Sequence, residues 1–131
     1  MMRDGPIPFF AHGVIEYVGG GLFIALPFLL GYDSGAAVAL SIVIGVAMIA
    51  MAASTDGPTS LVNQIPRPAH VALDYVVAVL LIAMPFLAGF SGETAPTVVF
   101  IVVGVAHLLI TIGTKFRKGE APARKPMRQA P

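Results

Sequence analysis

His12 and Glu16 stand four residues apart, and so do His70 and Asp74. On a helix that spacing puts both side chains on one face, so each pair would present an imidazole beside a carboxylate. A third histidine, His107, has no carboxylate at the same spacing. Imidazole and carboxylate are ligand types for zinc, iron and manganese, which makes His12, Glu16, His70, Asp74 and His107 candidate metal ligands. His70 and His107 could also clamp a b-type haem from two helices. Titratable groups within a membrane can instead relay protons or ions. A structural reading stands beside these, in which each pair and its counterpart form a hydrogen-bonded clasp that fixes helix register. The metal reading departs from the Glu-x-x-His spacing of carboxylate-bridged bundles and lacks their additional carboxylates.

The pairs recur because the stretch around them recurs. Residues 11–32, AHGVIEYVGGGLFIALPFLLGY, align with residues 69–90, AHVALDYVVAVLLIAMPFLAGF, at an offset of 58 with eleven identities, enough to mark a duplication. His12 falls on His70, Glu16 on Asp74, Tyr17 on Tyr75, and the Pro27, Phe28, Leu29 run on Pro85, Phe86, Leu87. A second match, IVIGVA at 42–47 with IVVGVA at 101–106, has an offset of 59.

The elements carrying these residues are membrane helices. The chain of 131 residues is 56% hydrophobic and 11% charged, against roughly a quarter charged in soluble domains. Four apolar segments, about 9–30, 35–54, 69–88 and 94–114, can be drawn, each near the ~20 residues that cross a bilayer core. The first is not a secretory signal, because it lacks a basic flank and is duplicated within the chain. Cysteine is absent, which excludes disulfides, thiolate metal sites, iron–sulfur clusters and covalent c-type haem.

Short connections between segments one and two, and between three and four, predict two antiparallel hairpins. A repeat of two spans keeps both copies in the same orientation. The expected fold is therefore all-α, an integral membrane four-helix bundle of two duplicated hairpins with a pseudo-twofold axis along the membrane normal. Its parts are hairpin one at about 9–54, a cytoplasmic linker at 55–68, hairpin two at about 69–114, and a basic mobile tail at 115–131.

Arg3, Arg67 and the basic residues from Lys115 onward all fall on one side of this topology. The positive-inside rule makes that side cytoplasmic, with both termini there and the bacterial inner membrane as the location. At 1.5 Å per residue, Glu16 lies about 10 Å in from Phe9 and His107 about 12 Å from Lys115, so all five ionisable groups belong to the cytoplasmic half.

Small residues at Ala37, Ser41 and Gly45, and the Gly19, Gly20, Gly21 triplet, predict close helix approach. The second copy has Val77, Ala78 and Val79 at the triplet, so that close approach is expected in the first hairpin only. Pro27 and Pro85, near the outer helix ends, predict bends into the outer connections. Tyr17 and Tyr75 are expected at a neighbouring helix contact or at the interface.

At the repeated stretch the chain resembles the SPW-repeat family of small bacterial membrane proteins. That family's unit is a two-helix hairpin with a Ser-Pro-Trp motif followed by a Leu/Ala-Gly-Phe ending. The corresponding residues here are Leu26-Pro27-Phe28-Leu29-Leu30-Gly31-Tyr32 and Met84-Pro85-Phe86-Leu87-Ala88-Gly89-Phe90. Glu16 and Asp74 fall where the family commonly has Asn, and neither copy retains the Ser or the Trp. The resemblance implies the hairpin architecture and a bacterial origin, and it carries no activity.

No P-loop, nucleophile elbow, HExxH or Rossmann fingerprint is present, so the sequence reads as a non-enzymatic membrane protein. The expected role is a structural or accessory subunit, with the bilayer, further copies of the chain or a larger membrane complex as partners. Nucleic acid is not an expected partner, because the basic tail carries no aromatic residue besides Phe116. The alternatives are the metal or haem site and the relay. Because His107 is the ionisable residue without a repeat partner, it is expected to define any specific site.

Overall fold

A computed structural model of the protein describes residues 5–117. It contains the helices α1 (Phe9–Leu29), α2 (Gly35–Ser54), α3 (Arg67–Leu87) and α4 (Thr94–Gly113). All four are long and apolar enough to cross a membrane. Their outward faces carry Phe28, Leu29, Phe86, Leu87 and Val43, each more than half exposed. Such a belt suits lipid, and with the four spans it makes the protein a multi-pass membrane protein.

The helices end where their residues require it. Pro8 and Pro66, extended at φ −62°, precede α1 and α3, and Ser34 caps α2 by accepting from the Ala37 amide. At the other ends of α1 and α3, Gly31 and Gly89 adopt positive φ of 63° and 77°. The amides of Tyr32 and Phe90 then reach back to the carbonyls of Pro27 and Pro85 at 2.9 Å, a Schellman closure that favours glycine. Pro27 lies inside α1 and cannot donate to the Phe23 carbonyl one turn earlier. The Ser41 hydroxyl of α2 occupies that freed acceptor at 2.5 Å, so the proline also helps tie the hairpin together.

The helices approach most closely as α1 with α2 and α3 with α4. A Cβ on Gly20 would lie 2.7 Å from the Gly45 carbonyl oxygen, and one on Gly45 would lie 2.5 Å from that of Gly20. The second hairpin makes the same crossing with a different pair. A Cβ on Gly104 would meet Leu81 at 3.0 Å and the Ala78 carbonyl at 3.2 Å, so the expectation that only the first hairpin packs this closely is corrected. Alanine at 78, fully buried, is small enough to do what glycine does at 20.

Between the hairpins side chains interlock instead. Phe23, Ala37, Leu81 and Phe100, with Tyr32 and Phe90, form the core of the half nearer the short connections. The opposite end, which carries the first and last described residues, is closed by two equivalent joints. Strand β1 (Ile7–Pro8) pairs in parallel with β2 (Thr114–Lys115), and Ile65 forms the same kind of bridge with Thr55. The duplication therefore extends past both helix ends.

Lys115 and Phe116, expected in the mobile tail, are held in the fold. Lys115 is in the β2 pairing, and Phe116 is 1% exposed, because an aromatic ring at that place can be buried beside Phe9 and Val71. The rest of the basic tail, 118–131, lies outside the described residues, as does Arg3.

Candidate metal centre

His12 lies one turn into α1 and His70 one turn into α3, each followed one turn later by its carboxylate. The lipid side of these helices is apolar, so the polar stripe turns inward. His12 and His70 are 1% exposed, Glu16 2%, Asp74 0% and His107 5%. All five expected residues are therefore buried together.

The contacts cross between the hairpins more closely than they run along each helix. His12 Nε2 is 3.1 Å from Asp74 Oδ2, against 3.8 Å from Glu16 Oε1 on its own helix. His70 Nε2 is 3.2 Å from Glu16 Oε1 and 3.3 Å from Asp74 Oδ2. The exchange of equivalent partners is what a twofold relation between the hairpins produces. His107 Nε2 adds a contact to the other Asp74 oxygen, Oδ1, at 3.4 Å.

The other ring nitrogens of His12 and His70 have equivalent partners as well. His12 Nδ1 is 2.8 Å from Thr114 Oγ1, and His70 Nδ1 is 2.6 Å from Thr55 Oγ1. Each of these hydroxyls also lies one turn past a carbonyl it can donate to, Ile110 at 2.6 Å for Thr114 and Met51 at 2.7 Å for Thr55. A hydroxyl has one proton, and oxygens this close need it between them. The threonine oxygens are then acceptors toward the imidazoles, and Nδ1 carries the ring proton. In a neutral ring that tautomer leaves the Nε2 lone pair pointing into the centre.

Short as the Nε2 to carboxylate distances are, none of these contacts has the alignment of a hydrogen bond. The Nε2 atoms of all three histidines and both oxygens of Glu16 and Asp74 are buried without a hydrogen-bond partner. Buried polar groups are ordinarily paired. Here they converge on shared space rather than on one another. One ligand atom from each of His12, Glu16, His70 and Asp74 lies within 4.8 Å of all the others. Four tetrahedral ligands at 2.0–2.2 Å from a metal lie about 3.3–3.6 Å apart, so the set would close on an ion by drawing its most widely spaced atoms in by about 1 Å.

Aromatic rings roof the centre at the terminal end. The Phe116 ring stacks edge-on to His12 at 5.1 Å between centroids, and Phe9 lies 5.9 Å from His70. Arg67 covers Phe9 at 4.7 Å from its ring centre and donates to the backbone oxygens of Asp56 and Phe116. The linker joins this roof. Tyr17 donates to the Thr59 carbonyl of the linker at 2.9 Å, while Tyr75 packs beside Phe9, Val71 and Phe116.

Sequence reasoning found the five ionisable residues and missed both threonines. Thr55 and Thr114 are separated by the same 59 residues as the IVIGVA match, so extending that match by eight residues would have found them. His107 touches only Asp74 among the cluster carboxylates and stands outside the close four-residue set. A haem clamped by His70 and His107 does not fit, because the Asp74 carboxylate stands between their Nε2 atoms.

A family model, the SPW repeat domain, matches residues 10–114. No curated protein and no solved structure matches the chain.

Proposed function

The chain belongs to the SPW repeat family, and we propose that this member binds one divalent first-row transition metal ion at His12, Glu16, His70 and Asp74. One observation carries the reading: Nε2 and carboxylate oxygens lie 3.1–3.4 Å apart yet none is aligned as a hydrogen bond. The two imidazoles are oriented through Nδ1 by Thr55 and Thr114, the arrangement by which histidine ligands are commonly held. Two carboxylates balance a divalent ion when the imidazoles are neutral, which suits a low-dielectric site. The mixed nitrogen and oxygen donors favour iron, manganese, cobalt or zinc over calcium or cuprous copper.

Such an ion would join the hairpins where their backbones stay apart, so the centre also performs the structural role expected from the sequence, alone or within a larger membrane assembly. A proton relay would need titratable groups beyond the centre, where the buried side chains include Phe23, Leu81 and Phe100.

Metal titration of the detergent-solubilised protein against a competing chelator tests the reading. We expect one ion per chain, released on acidification as protons compete for the ligands, and no specific binding by a His12→Ala/His70→Ala variant. Equal binding by that variant would refute it.

The proposed location is the cytoplasmic half of a bacterial inner membrane, a reading supported by the distribution of basic residues. A C-terminal green fluorescent protein fusion is expected to fluoresce and a C-terminal alkaline phosphatase fusion to stay inactive. The reverse pair of results would invert the topology.

A further inference from the structure

The two repeats are unequal beside the centre, and the inequality opens it on one side. Gly19 of α1 corresponds to Val77 of α3, and His107 of α4 corresponds to Met48 of α2. Between α1 and α4 lies a cleft of about 150 Å³ whose lining includes His12, Glu16 and His107 at its polar end and Gly19, Val103 and Ile110 along its walls. Its accessible lining is overwhelmingly apolar. The roof of Phe9 and Phe116 closes the centre toward the terminal end, and Phe23, Leu81 and Phe100 fill the core toward the other. The cleft therefore approaches the centre from the side, through walls that favour uncharged molecules.

Resting on the metal reading, we infer that this cleft admits a small neutral ligand of diatomic size to a coordination position left open on the bound metal. Polarity points there, and size permits it. A water molecule's share of liquid is about 30 Å³, so the cleft accommodates a diatomic with room to move. Apolar walls disfavour an ion, which would leave its hydration behind without compensating partners. A four-ligand protein set leaves first-row metals able to take a further ligand. His12 and Glu16, two of the four, border the cleft, so a ligand entering it would reach the metal on that side. His107, at the same end, is placed to donate to a ligand bound there.

Gly19 provides a clean test. A Cβ at this position would meet only the terminal methyl of Met48, at 3.3 Å, which can swing aside. Gly19→Val thus restores the residue of the second repeat and places its side chain in the cleft. Gly21→Val is the control, since a Cβ there meets nothing within 4 Å.

The probe is nitric oxide added anaerobically to protein loaded with ferrous iron, read by electron paramagnetic resonance. The wild type and Gly21→Val are expected to give the signal of a high-spin ferrous nitrosyl. Gly19→Val should bind iron with unchanged stoichiometry while its nitrosyl signal falls at least tenfold at the same nitric oxide concentration. An undiminished signal in Gly19→Val, or an iron-loaded wild type without a nitrosyl, overturns the inference while leaving the metal site intact. A wild type that binds no iron, manganese, cobalt or zinc defeats the metal reading, and the inference with it.

Discussion

Replacing Asp74 with alanine is expected to abolish metal binding and to loosen the bundle in one step. Among the described residues, Asp74 alone forms a close polar contact with all three histidines, at 3.1 Å from His12, 3.3 Å from His70 and 3.4 Å from His107. Its side chain is fully buried, so no water would replace it cheaply. Affinity should fall by more than about 100-fold, since even changes behind the ligands cost roughly 10–100-fold. Breaking a buried charge network by removing one partner costs about 3–5 kcal/mol, and thermal unfolding in detergent should register a loss of that order. Asp74→Asn keeps the volume and one acceptor, so it should lose the metal with a smaller loss of stability. Glu16→Gln should disturb the fold less than the aspartate changes, because Glu16 meets two histidines, one of them at 3.8 Å.

The second large effect is expected at residues that touch no metal. Changing Thr55 and Thr114 together to valine preserves their shape and removes the oxygens that hold the two imidazoles by Nδ1. The rings can then turn, and the buried Nδ1 protons lose their acceptors. Each single change should weaken metal binding about 10-fold and the pair toward 100-fold, the usual scale for outer partners of histidine ligands. Chelator competition measures both. Near-additive effects are expected because Thr114 serves His12 and Thr55 serves His70. Unchanged affinity in the double variant would mean that the rings are held by something other than these hydroxyls.

Much of the architecture was legible because it rests on coarse physics. Apolar length marked the four spans, and their observed bounds stay close to those expected; only α3 begins earlier, at Arg67. Duplication marked His12, Glu16, His70 and Asp74 as residues serving one purpose twice. The pairing was less legible. A spacing of four suggests a partner on the same helix, but an inward face also looks across at the other hairpin, and the closest contact to each of these histidines' Nε2 comes from there. Thr55 and Thr114 escaped notice because each sits just past a helix end, where a hydroxyl reads as a boundary residue. Phe116 was counted with the basic tail because its neighbours are Lys115 and Arg117. Only the fold brings its ring over His12. His107 drew attention by lacking a repeat partner. That same asymmetry places it beside the lateral cleft and outside the close set of ligands.

X-ray absorption at the edge of the bound metal, recorded on the purified protein loaded with one equivalent of zinc or iron, tests the central claim most directly. The account predicts a shell of nitrogen and oxygen neighbours at about 2.0–2.2 Å, with outer scattering from two imidazole rings that disappears in the His12→Ala/His70→Ala variant. A spectrum of hydrated metal, without imidazole scattering and unchanged by that substitution, would contradict it.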